Sequence, residues 1–463
     1  MDFGMVPKLG PGRGVPACTG VERMQDRTSD PLIDVSQLAV GMFIHLDLGW
    51  MSHPFPLSSF KIASSDQLLI LRRLGLTQVR WSPAKSDLAL QPPASDAMAV
   101  AGSAAQAGEA GGAGTDAAPV EQPTPEELAR EAHRRALAAQ RQALRLCEAQ
   151  YGEAADGFRG VIDHVQSDPH QARAEAEALT SALLDKMLVE GDLNMRLLNE
   201  SAGDRSTAHA LNVCIIALLL GRAFGLGRDE MMDLGVGSLL HDVGKLEIAA
   251  RLRHRDESFT SAETQAYQQH VAKGVAIAQA MGLAPGPLLI IAQHHEHADG
   301  SGFPQRINMD RMSTGARIVA LVNRFDGLCN PLITSKAMTP HEALSLMFAQ
   351  GRNRFDATML NAFIRMMGVY PPGSTVQLTD DRYALVVSVN SARPLKPRVM
   401  VHDAKVPKEE ALILNLEEMP DLGIRRSLKP QFLPRHSLDY LSPRARIAYF
   451  FDAAMTGPGE LAA

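Results

Sequence analysis

The sequence of 463 residues contains few cysteines, no excess of basic residues and no long apolar run. Its four cysteines are scattered without a Cys-x-x-Cys pair. That spacing argues against a disulfide framework and a thiolate zinc site, and free thiols fit a reducing cytoplasm. The net charge of −6 argues against binding nucleic acid over a broad surface. The longest apolar run, VCIIALLL at 213–220, is far shorter than the roughly 18 residues of a membrane span. The sequence therefore predicts a soluble cytoplasmic protein with no membrane span.

The first 123 residues predict an extension, a small domain and a linker. Residues 31–88 alternate apolar and polar side chains and then change to helical spacing, which predicts a small α/β domain after an extension at 1–30. The segment 89–123 has almost no side chain that can build a core, because 91–122 contains no aromatic and no basic residue. We therefore expect a disordered linker at 89–123.

A helix is predicted directly after this linker. Thr124 is followed by Pro125 and, three positions after the threonine, by Glu127, a combination typical of a helix start. The charged, alanine-rich sequence that follows predicts a linker helix at 124–154, solvated or in a coiled coil rather than in a core. A coiled coil at this place would make the chain a homodimer.

The remainder of the chain changes from helical to alternating spacing. Residues 155–368 have helical spacing throughout, with turns at Gly and Pro, and predict an all-helical domain. Residues 369–463 alternate and predict a small β-rich tail with a C-terminal extension. The expected fold class is therefore mainly α, with a small α/β domain before the helical domain and a small β tail after it.

Histidines and carboxylates gather in the predicted helical domain. The set comprises His209, the pair His241-Asp242, His270, the pair His294-His295, and Asp299. Imidazole and carboxylate ligands without thiolate suit Fe, Mn, Zn or Ni. Helical bundles build such sites from ligands on several helices, and two metals that share a carboxylate can hold a phosphodiester.

Each of these residues also has a plain alternative. His209 or His270, taken alone, is more often a surface or core histidine than a ligand. A second His-Asp dipeptide occurs at His402-Asp403, and we assign that one to a turn. The hypothesis of a metal site depends on the whole set, which falls on one predicted domain.

Three motifs in this set resemble the HD-GYP phosphodiesterases, a bacterial, all-helical family of the HD superfamily. They are LLHDVGK at 239–245, HVAKG at 270–274 and HHEHADGSGFP at 294–304. Their order resembles the family's pattern of a His, HDxGK, HxxxG and HHExxDGxGYP. The unit at 31–88 also resembles the small domain that often precedes HD-GYP domains. The resemblance implies hydrolysis of cyclic di-GMP to pGpG or GMP with two divalent metals, most often iron or manganese.

The resemblance assigns roles by position. The implied metal ligands are His209, His241, Asp242, His270, His294, His295 and, at a seventh position, Asn323. Asp242 would bridge the metals, and Lys245 would face the substrate phosphate as the second catalytic residue. The implied substrate contacts, besides Lys245, are Asp299, Gly300, Gly302, Phe303, Pro304 and Arg317. We expect Asp299 to fix the loop's turn rather than to bind metal. Both glycines can adopt backbone conformations that are closed to other residues.

The sequence departs from the family's pattern at four places. Asn323 stands where the family has an Asp ligand, so either one metal site binds more weakly or this subtype uses an amide oxygen. Arg205 stands at the Glu that holds a third metal in some members, which implies a binuclear site. Phe303 replaces the tyrosine of the GYP triplet and keeps its ring. The segment CNPLITSKAM at 329–338, where the family has Arg and Tyr, has Lys336 as its one basic residue.

These observations leave three functions open. The leading hypothesis is an active, metal-dependent cyclic di-GMP phosphodiesterase. The alternative is a catalytically weakened receptor or scaffold that binds cyclic di-GMP or a partner such as a diguanylate cyclase. A metal hydrolase that acts on another nucleotide is the third. Retention of the HD and HH pairs favours the enzyme, because a scaffold has no physical need for clustered imidazoles.

Overall fold

The computed structural model describes residues 30–48, 53, 55, 59–87, 124–187, 192–198, 204–254, 258–351, 353–390 and 393–453. The predicted linker at 89–123, nearly all of the predicted extension at 1–30 and the end of the predicted C-terminal extension lie outside these ranges. The chain divides into two compact units, Met1–Gly49 with Leu57–Ala110, and Trp50–Pro56 with Gly111–Ala463. Each unit is described by itself.

The N-terminal unit contains an antiparallel sheet and one helix. Its elements are β1 (Leu32–Asp34), β2 (Phe43–His45), β3 (Ser59–Lys61), α1 (Ser65–Arg73) and β4 (Gln78–Ser82), and the strand order is β1-β4-β2-β3. The predicted alternation around β2 is confirmed, because Met42, Ile44 and Leu46 are buried. Gly75 follows α1 with a φ of +71°, a conformation that glycine adopts without strain. The unit is the small α/β domain that the sequence predicts.

The predicted linker helix is longer than expected and enters the core. Helix α2 (Pro125–Ser167) starts as predicted, with Thr124 and Glu127 forming a capping box. It does not end at 154, because buried side chains continue at helical spacing, from Cys147 to Val165, and pack with α3 (Pro169–Met187) in one core cluster. The prediction of a solvated helix is therefore wrong for its C-terminal half.

The second unit is built on a helical bundle. Its helices are α4 (Arg205–Ala223), α5 (Arg228–Leu240), α6 (Ser261–Ala280), α7 (Pro285–Gln293), α8 (Thr314–Cys329), α9 (Pro340–Gln350) and α10 (Ala357–Met367). Among the described residues, α4 alone is long and apolar enough to cross a membrane, and 72% of its most apolar window is buried in the bundle. Burial of this kind is typical of the central helix of a core.

The second unit also contains a seven-stranded sheet, whose strands come from before α4 and after α10 in the sequence. Its strands are β5 (Leu193–Leu197), β6 (Thr375–Leu378), β7 (Tyr383–Asn390), β8 (Arg398–Val401), β9 (Ile413–Asn415), β10 (Ile424–Leu428) and β11 (Tyr449–Ala453), with α11 (Arg435–Leu441) before the last strand. The prediction that 155–368 is helical throughout is wrong, because β5 pairs with both β7 and β11. Its sequence, LNMRL, alternates apolar and polar residues but is only five residues long and stands between helical segments. Both polar side chains are buried, and Arg196 pairs with Asp452 at 2.7 Å. The predicted β tail is thus continuous with the helical domain.

Candidate metal centre

Asp242 lies between two pairs of histidines, directly after the end of α5. Its Oδ2 is 3.5 Å from His209 Nε2 and 3.4 Å from His241 Nε2. Its Oδ1 is 3.6 Å from His270 Nε2 and 3.7 Å from His294 Nε2. Each carboxylate oxygen therefore faces a different pair of imidazole nitrogens.

The side chains form two groups that share Asp242. One group is His209, His241 and Asp242, and the other is Asp242, His270, His294 and His295; within each, one candidate ligand atom per residue lies within 4.8 Å of the others. Asp242 Oδ1 is buried without a hydrogen-bond partner among the described residues. An unpartnered buried oxygen costs free energy that a cation recovers. The donor set and this oxygen therefore fit divalent metal.

Three of the histidines are oriented by the same local contact. In each, the ring Nδ1 lies within hydrogen-bond distance of the backbone carbonyl three residues earlier: His241 with Ser238 at 2.7 Å, His270 with Tyr267 at 2.6 Å and His294 with Ile291 at 2.8 Å. A carbonyl only accepts, so each Nδ1 donates and each Nε2 of a neutral ring keeps its lone pair for a ligand. This fixed tautomer is the usual arrangement of metal-binding histidines.

Burial keeps three imidazoles neutral at physiological pH. Burial lowers the pKa of His270 to about 4; Asp242 opposes this shift and Lys245 adds to it. Burial and neighbouring histidines likewise hold the pKa values of His294 and His295 well below the ordinary value. Neutral rings are the form in which histidine binds metal.

Asp242 remains ionised in spite of its burial. Burial alone would raise its pKa, but Lys245, His241 and His209 hold the pKa well below its ordinary value. Lys245 Nζ lies 2.5 Å from Asp242 Oδ2, and the carboxylate raises the pKa of this lysine although burial opposes the shift. The centre therefore combines a carboxylate and a protonated lysine with three neutral imidazoles. Burial opposes protonation of His209, but hydrogen bonds to Asp242 and Asp326 raise the pKa of that histidine to about 9.

Two motif glycines allow the ligand segments to approach. Gly244 lies in a short 3-10 helix, Val243–Glu247, that crosses α6 at Gly274. A Cβ on Gly244 would lie 1.9 Å from His270 O and 2.4 Å from Gly274 N. Any larger residue at 244 would separate Asp242 from His270, so the glycine is required for the geometry of the site.

The glycines of the loop after α7 serve two different purposes. Gly300 has a φ of +75°, as expected. Gly302 is not among the described glycines with a positive φ. Glycine is needed there for space, because a Cβ on Gly302 would lie 2.4 Å from Glu296 Cα.

Glu296 fixes the backbone of the same loop. Its buried carboxylate accepts three backbone N–H groups: Gln305 at 2.7 Å, Arg306 at 3.1 Å and Ile307 at 3.2 Å. In the same loop, the ring of Phe303 stacks on His295 with 4.5 Å between centroids. The loop is therefore fixed against the second histidine of the HH pair.

Asp326 positions His209 from outside the cluster. Its Oδ2 lies 2.6 Å from His209 Nδ1, and its Oδ1 accepts the amides of Asn212 and Asn330, each at 2.8 Å. Both amides also donate to Ile447 O, at 2.8 and 2.9 Å. The orientation of His209 thus depends on Asp326 and on the chain just before β11. The sequence offered one signal for Asp326, its place one helical turn after Asn323.

The sequence of this region matches a known family. Residues 192–359 match the family model described as "HD domain". Residues 192–359 form an HD domain. Residues 32–176 match the model described as "Domain of unknown function (DUF3391)". The two matches confirm the resemblance predicted from the motifs and from the small N-terminal unit.

Several phosphodiesterases are similar to this chain in sequence. The cyclic di-GMP phosphodiesterase PA4108 of Pseudomonas aeruginosa is 26% identical over 392 residues, which are 82% of this chain and 88% of that protein. The response regulator RpfG of Xanthomonas campestris, also named a cyclic di-GMP phosphodiesterase, is 29% identical over 32% of this chain and 40% of its own length. The 3′3′-cGAMP-specific phosphodiesterase 2 of Vibrio cholerae is 28% identical over 36% of this chain and 32% of its own. A solved HDG"Y"P protein from Bdellovibrio bacteriovorus is 14% identical, with a TM-score of 0.38, over 72% of this chain and 97% of its own.

The HD domain places most predicted site residues around one cavity of about 1540 Å³. Its wall includes His209, Asp242, Lys245, His294, His295, Gly300, Gly302, Phe303, Pro304 and Asn323. His241 and His270 lie fully buried behind it.

Two predicted substrate contacts lie off this wall. Asp299 accepts the N–H of Ser301 at 2.9 Å, which fixes the turn as expected. The guanidinium of Arg317 pairs instead with Asp356 at 2.9 Å, so the structure does not support its assignment as a substrate contact.

Sequence reasoning missed Tyr267. Its hydroxyl lies 3.3 Å from His295 Nε2, and its ring centroid is 4.8 Å from that of His270. The available signal was its position three residues before His270, on the same face of α6.

Replacing His294 and His295 together with alanine should remove metal and turnover while most of the fold is kept. Both rings belong to the same ligand group, so metal affinity should fall by more than the roughly 100-fold typical of losing an outer partner. Metal analysis, turnover and thermal unfolding would measure this. His402→Ala with His436→Ala is the matched control, since these two rings also lie close together but outside the HD domain. Their centroids are 5.1 Å apart, against 4.1 Å for His294 and His295. Activity that survives in the first double variant would contradict the assigned site.

Proposed function

We propose that this chain hydrolyses cyclic di-GMP to pGpG or GMP with two divalent metal ions that share Asp242. One observation carries the proposal: the two oxygens of Asp242 face separate sets of imidazoles at the base of a cavity of about 1540 Å³. The relatives named as cyclic di-GMP phosphodiesterases support the same substrate.

The chain's own residues supply charge and orientation for this reaction. Hydrolysis forms a bond from a water oxygen to phosphorus and breaks the bond from phosphorus to a ribose oxygen. Divalent metal ions, when bound, supply Lewis-acid charge at phosphoryl oxygens and lower the pKa of water. Lys245 adds a fixed positive charge at the cavity wall, because Asp242 keeps its amine protonated. Such a charge offsets the negative charge that develops on the phosphoryl group.

The proposed metals are iron or manganese. Imidazole and carboxylate donors suit both ions, and the described cysteines, Cys147, Cys214 and Cys329, are not in either ligand group. Arg205 replaces the acidic residue that a third ion would need. A cytoplasmic location, inferred from free thiols and a buried α4, would keep iron in its divalent form.

The receptor or scaffold alternative is not favoured. Asn323 motivates this alternative, because a neutral amide in place of a carboxylate removes one negative charge from the ligands of one metal. The neutral imidazoles and the unpartnered oxygen of Asp242 are arranged for metal, which a scaffold does not need.

Binding of partners such as a diguanylate cyclase, and a homodimer through residues 125–150, stay proposals. In that helix, Gln140 already exchanges two 3.0 Å hydrogen bonds with Ile413 of the same chain.

A comparison of substrates tests the proposed function. The full chain, loaded with Mn²⁺ or Fe²⁺ without oxygen, would be incubated separately with cyclic di-GMP and 3′3′-cGAMP, and the products separated by chromatography. The proposal expects pGpG or GMP, formed faster than the products of 3′3′-cGAMP. Faster cleavage of 3′3′-cGAMP would instead place the chain with the Vibrio enzymes of that name.

Replacing Asn323 with Asp should tighten metal binding and leave turnover equal or higher. Asn323 lies one turn before Asp326 on α8 and therefore on the side of His209, whose ligand group has one carboxylate. A second carboxylate there should raise affinity at that site. Metal titration and turnover of the variant measure both effects, and a clear fall in both would show that the amide has its own role.

A further inference from the structure

The wall of the cavity is positively charged although the chain carries a net charge of −6. Among the described residues, nine Lys or Arg and four Asp line it. A cyclic dinucleotide has two phosphates, and the metal centre with Lys245 accounts for one. The other phosphate needs a second set of positively charged groups in the wall.

Arg205 has an unsatisfied guanidinium nitrogen in this wall. One terminal nitrogen donates to Asn330 O at 2.8 Å, while the other, NH1, is buried without a hydrogen-bond partner among the described residues. A buried N–H of a cation is costly to leave unpaired. Because Arg205 precedes His209 by four residues, it lies about 6 Å farther along the axis of α4.

Arg446 reaches the same wall from the C-terminal part of the chain. Asn330 links the two arginines. Its backbone carbonyl accepts a hydrogen bond from Arg205, and its side chain exchanges hydrogen bonds of 2.8 and 2.9 Å with the backbone of Ile447, the residue after Arg446. Burial lowers the pKa of Arg205, and Arg446 is close enough to lower it further, while Asp326 opposes the shift. Two like charges held together in a cavity wall favour an anion between or beside them.

We propose that Arg205 and Arg446 bind the phosphate of the cyclic dinucleotide that is not being cleaved. Guanidinium groups bind phosphate through paired, charge-assisted hydrogen bonds, and the free NH1 of Arg205 offers one such donor. The inference rests on the proposed function, since it takes a cyclic dinucleotide as the substrate. It also gives Arg205 a role at the position where a third metal would otherwise be held.

Full-length variants test this second phosphate site by binding and by turnover. Arg446→Ala is the main variant, and Arg205→Gln is the second. Calorimetry should show cyclic di-GMP binding weakened about tenfold in each, the loss of roughly one charge-assisted interaction. The ratio of the KM for cyclic di-GMP to the KM for bis(p-nitrophenyl) phosphate, which has a single phosphate, should rise by a similar factor. Arg435→Ala is the control, because Arg435 is 85% exposed and pairs with Asp439 outside the cavity.

The outcomes separate this inference from the proposed function. Unchanged binding in both variants, or an equal loss for both substrates, would overturn the inference while cyclic di-GMP hydrolysis by the wild type still stood. If the wild type binds cyclic di-GMP without cleaving it, the proposed function fails and the tenfold weakening of binding still decides the inference. A wild type that does not bind cyclic di-GMP would overturn both.

Discussion

Replacing Asp242 with Asn should abolish turnover and remove bound metal from both ligand groups. Asp242 is the residue that the two groups share, and its Oδ1 has no other partner among the described residues. An amide removes the charge and presents an N–H₂ group to one pair of imidazoles. Metal affinity should therefore fall by more than the roughly 10–100-fold typical of losing a partner that only supports a ligand. Metal analysis after dialysis, together with turnover of cyclic di-GMP, measures the effect.

The chain contains a matched control for this variant. Asp403 also follows a histidine, but its carboxylate accepts the N–H of Lys405 at 2.9 Å, which confirms that this second dipeptide forms a turn. Asp403→Asn should leave metal content and turnover at the wild-type level. Two metal ions retained in Asp242→Asn would show that the shared carboxylate is not the bridge.

Replacing Asp326 with Asn should weaken one metal site selectively. Asp326 lies 2.6 Å from one ligand, His209, and its two oxygens accept hydrogen bonds from three side chains. An amide can keep its oxygen toward Asn212 and Asn330 only by turning its N–H₂ group to His209 Nδ1. Nδ1 must then accept, so a neutral His209 carries its proton on Nε2, the nitrogen that faces Asp242. We expect a 10–100-fold loss of affinity at the site of His209, with the other site retained. Metal titration should resolve one tight and one weakened site.

A purely structural role for Asp326 would give a different result. Asp356→Asn is the comparison, because Asp356 pairs with Arg317 and accepts the N–H groups of Thr358 and Met359 away from the cavity. Both variants should lower the melting temperature, but the Asp326 variant alone should change the metal titration. Equal titrations in the two variants would contradict the positioning role.

The ligands were predictable from sequence because the motifs that carry them are short. His241 with Asp242, and His294 with His295, are adjacent at helix ends, where the backbone itself fixes their direction. The glycines that bring these segments together also lie within the motifs. Local pattern therefore predicted the helical domain and the members of the cluster, and the structure brings those members together.

Contacts between distant parts of the chain could not be predicted in this way. β5 is five residues long, and its short alternation is confirmed as a strand only by pairing with β7 and β11, about 190 to 260 residues later. The role of Asp326 depends on the chain at Ile447, and Arg446 reaches the cavity by the same connection. No spacing rule links positions that far apart. Arg317 illustrates the opposite error, because a position carried over from a family says nothing of a local partner such as Asp356.

The most direct test of a metal pair shared by Asp242 is to count metal ions and follow turnover in the same sample. The full chain would be purified without oxygen, loaded with Mn²⁺ or Fe²⁺, dialysed, and analysed for metal before incubation with cyclic di-GMP. The account predicts close to two ions per chain and the appearance of pGpG or GMP. One ion or none, with cyclic di-GMP left intact, would contradict it.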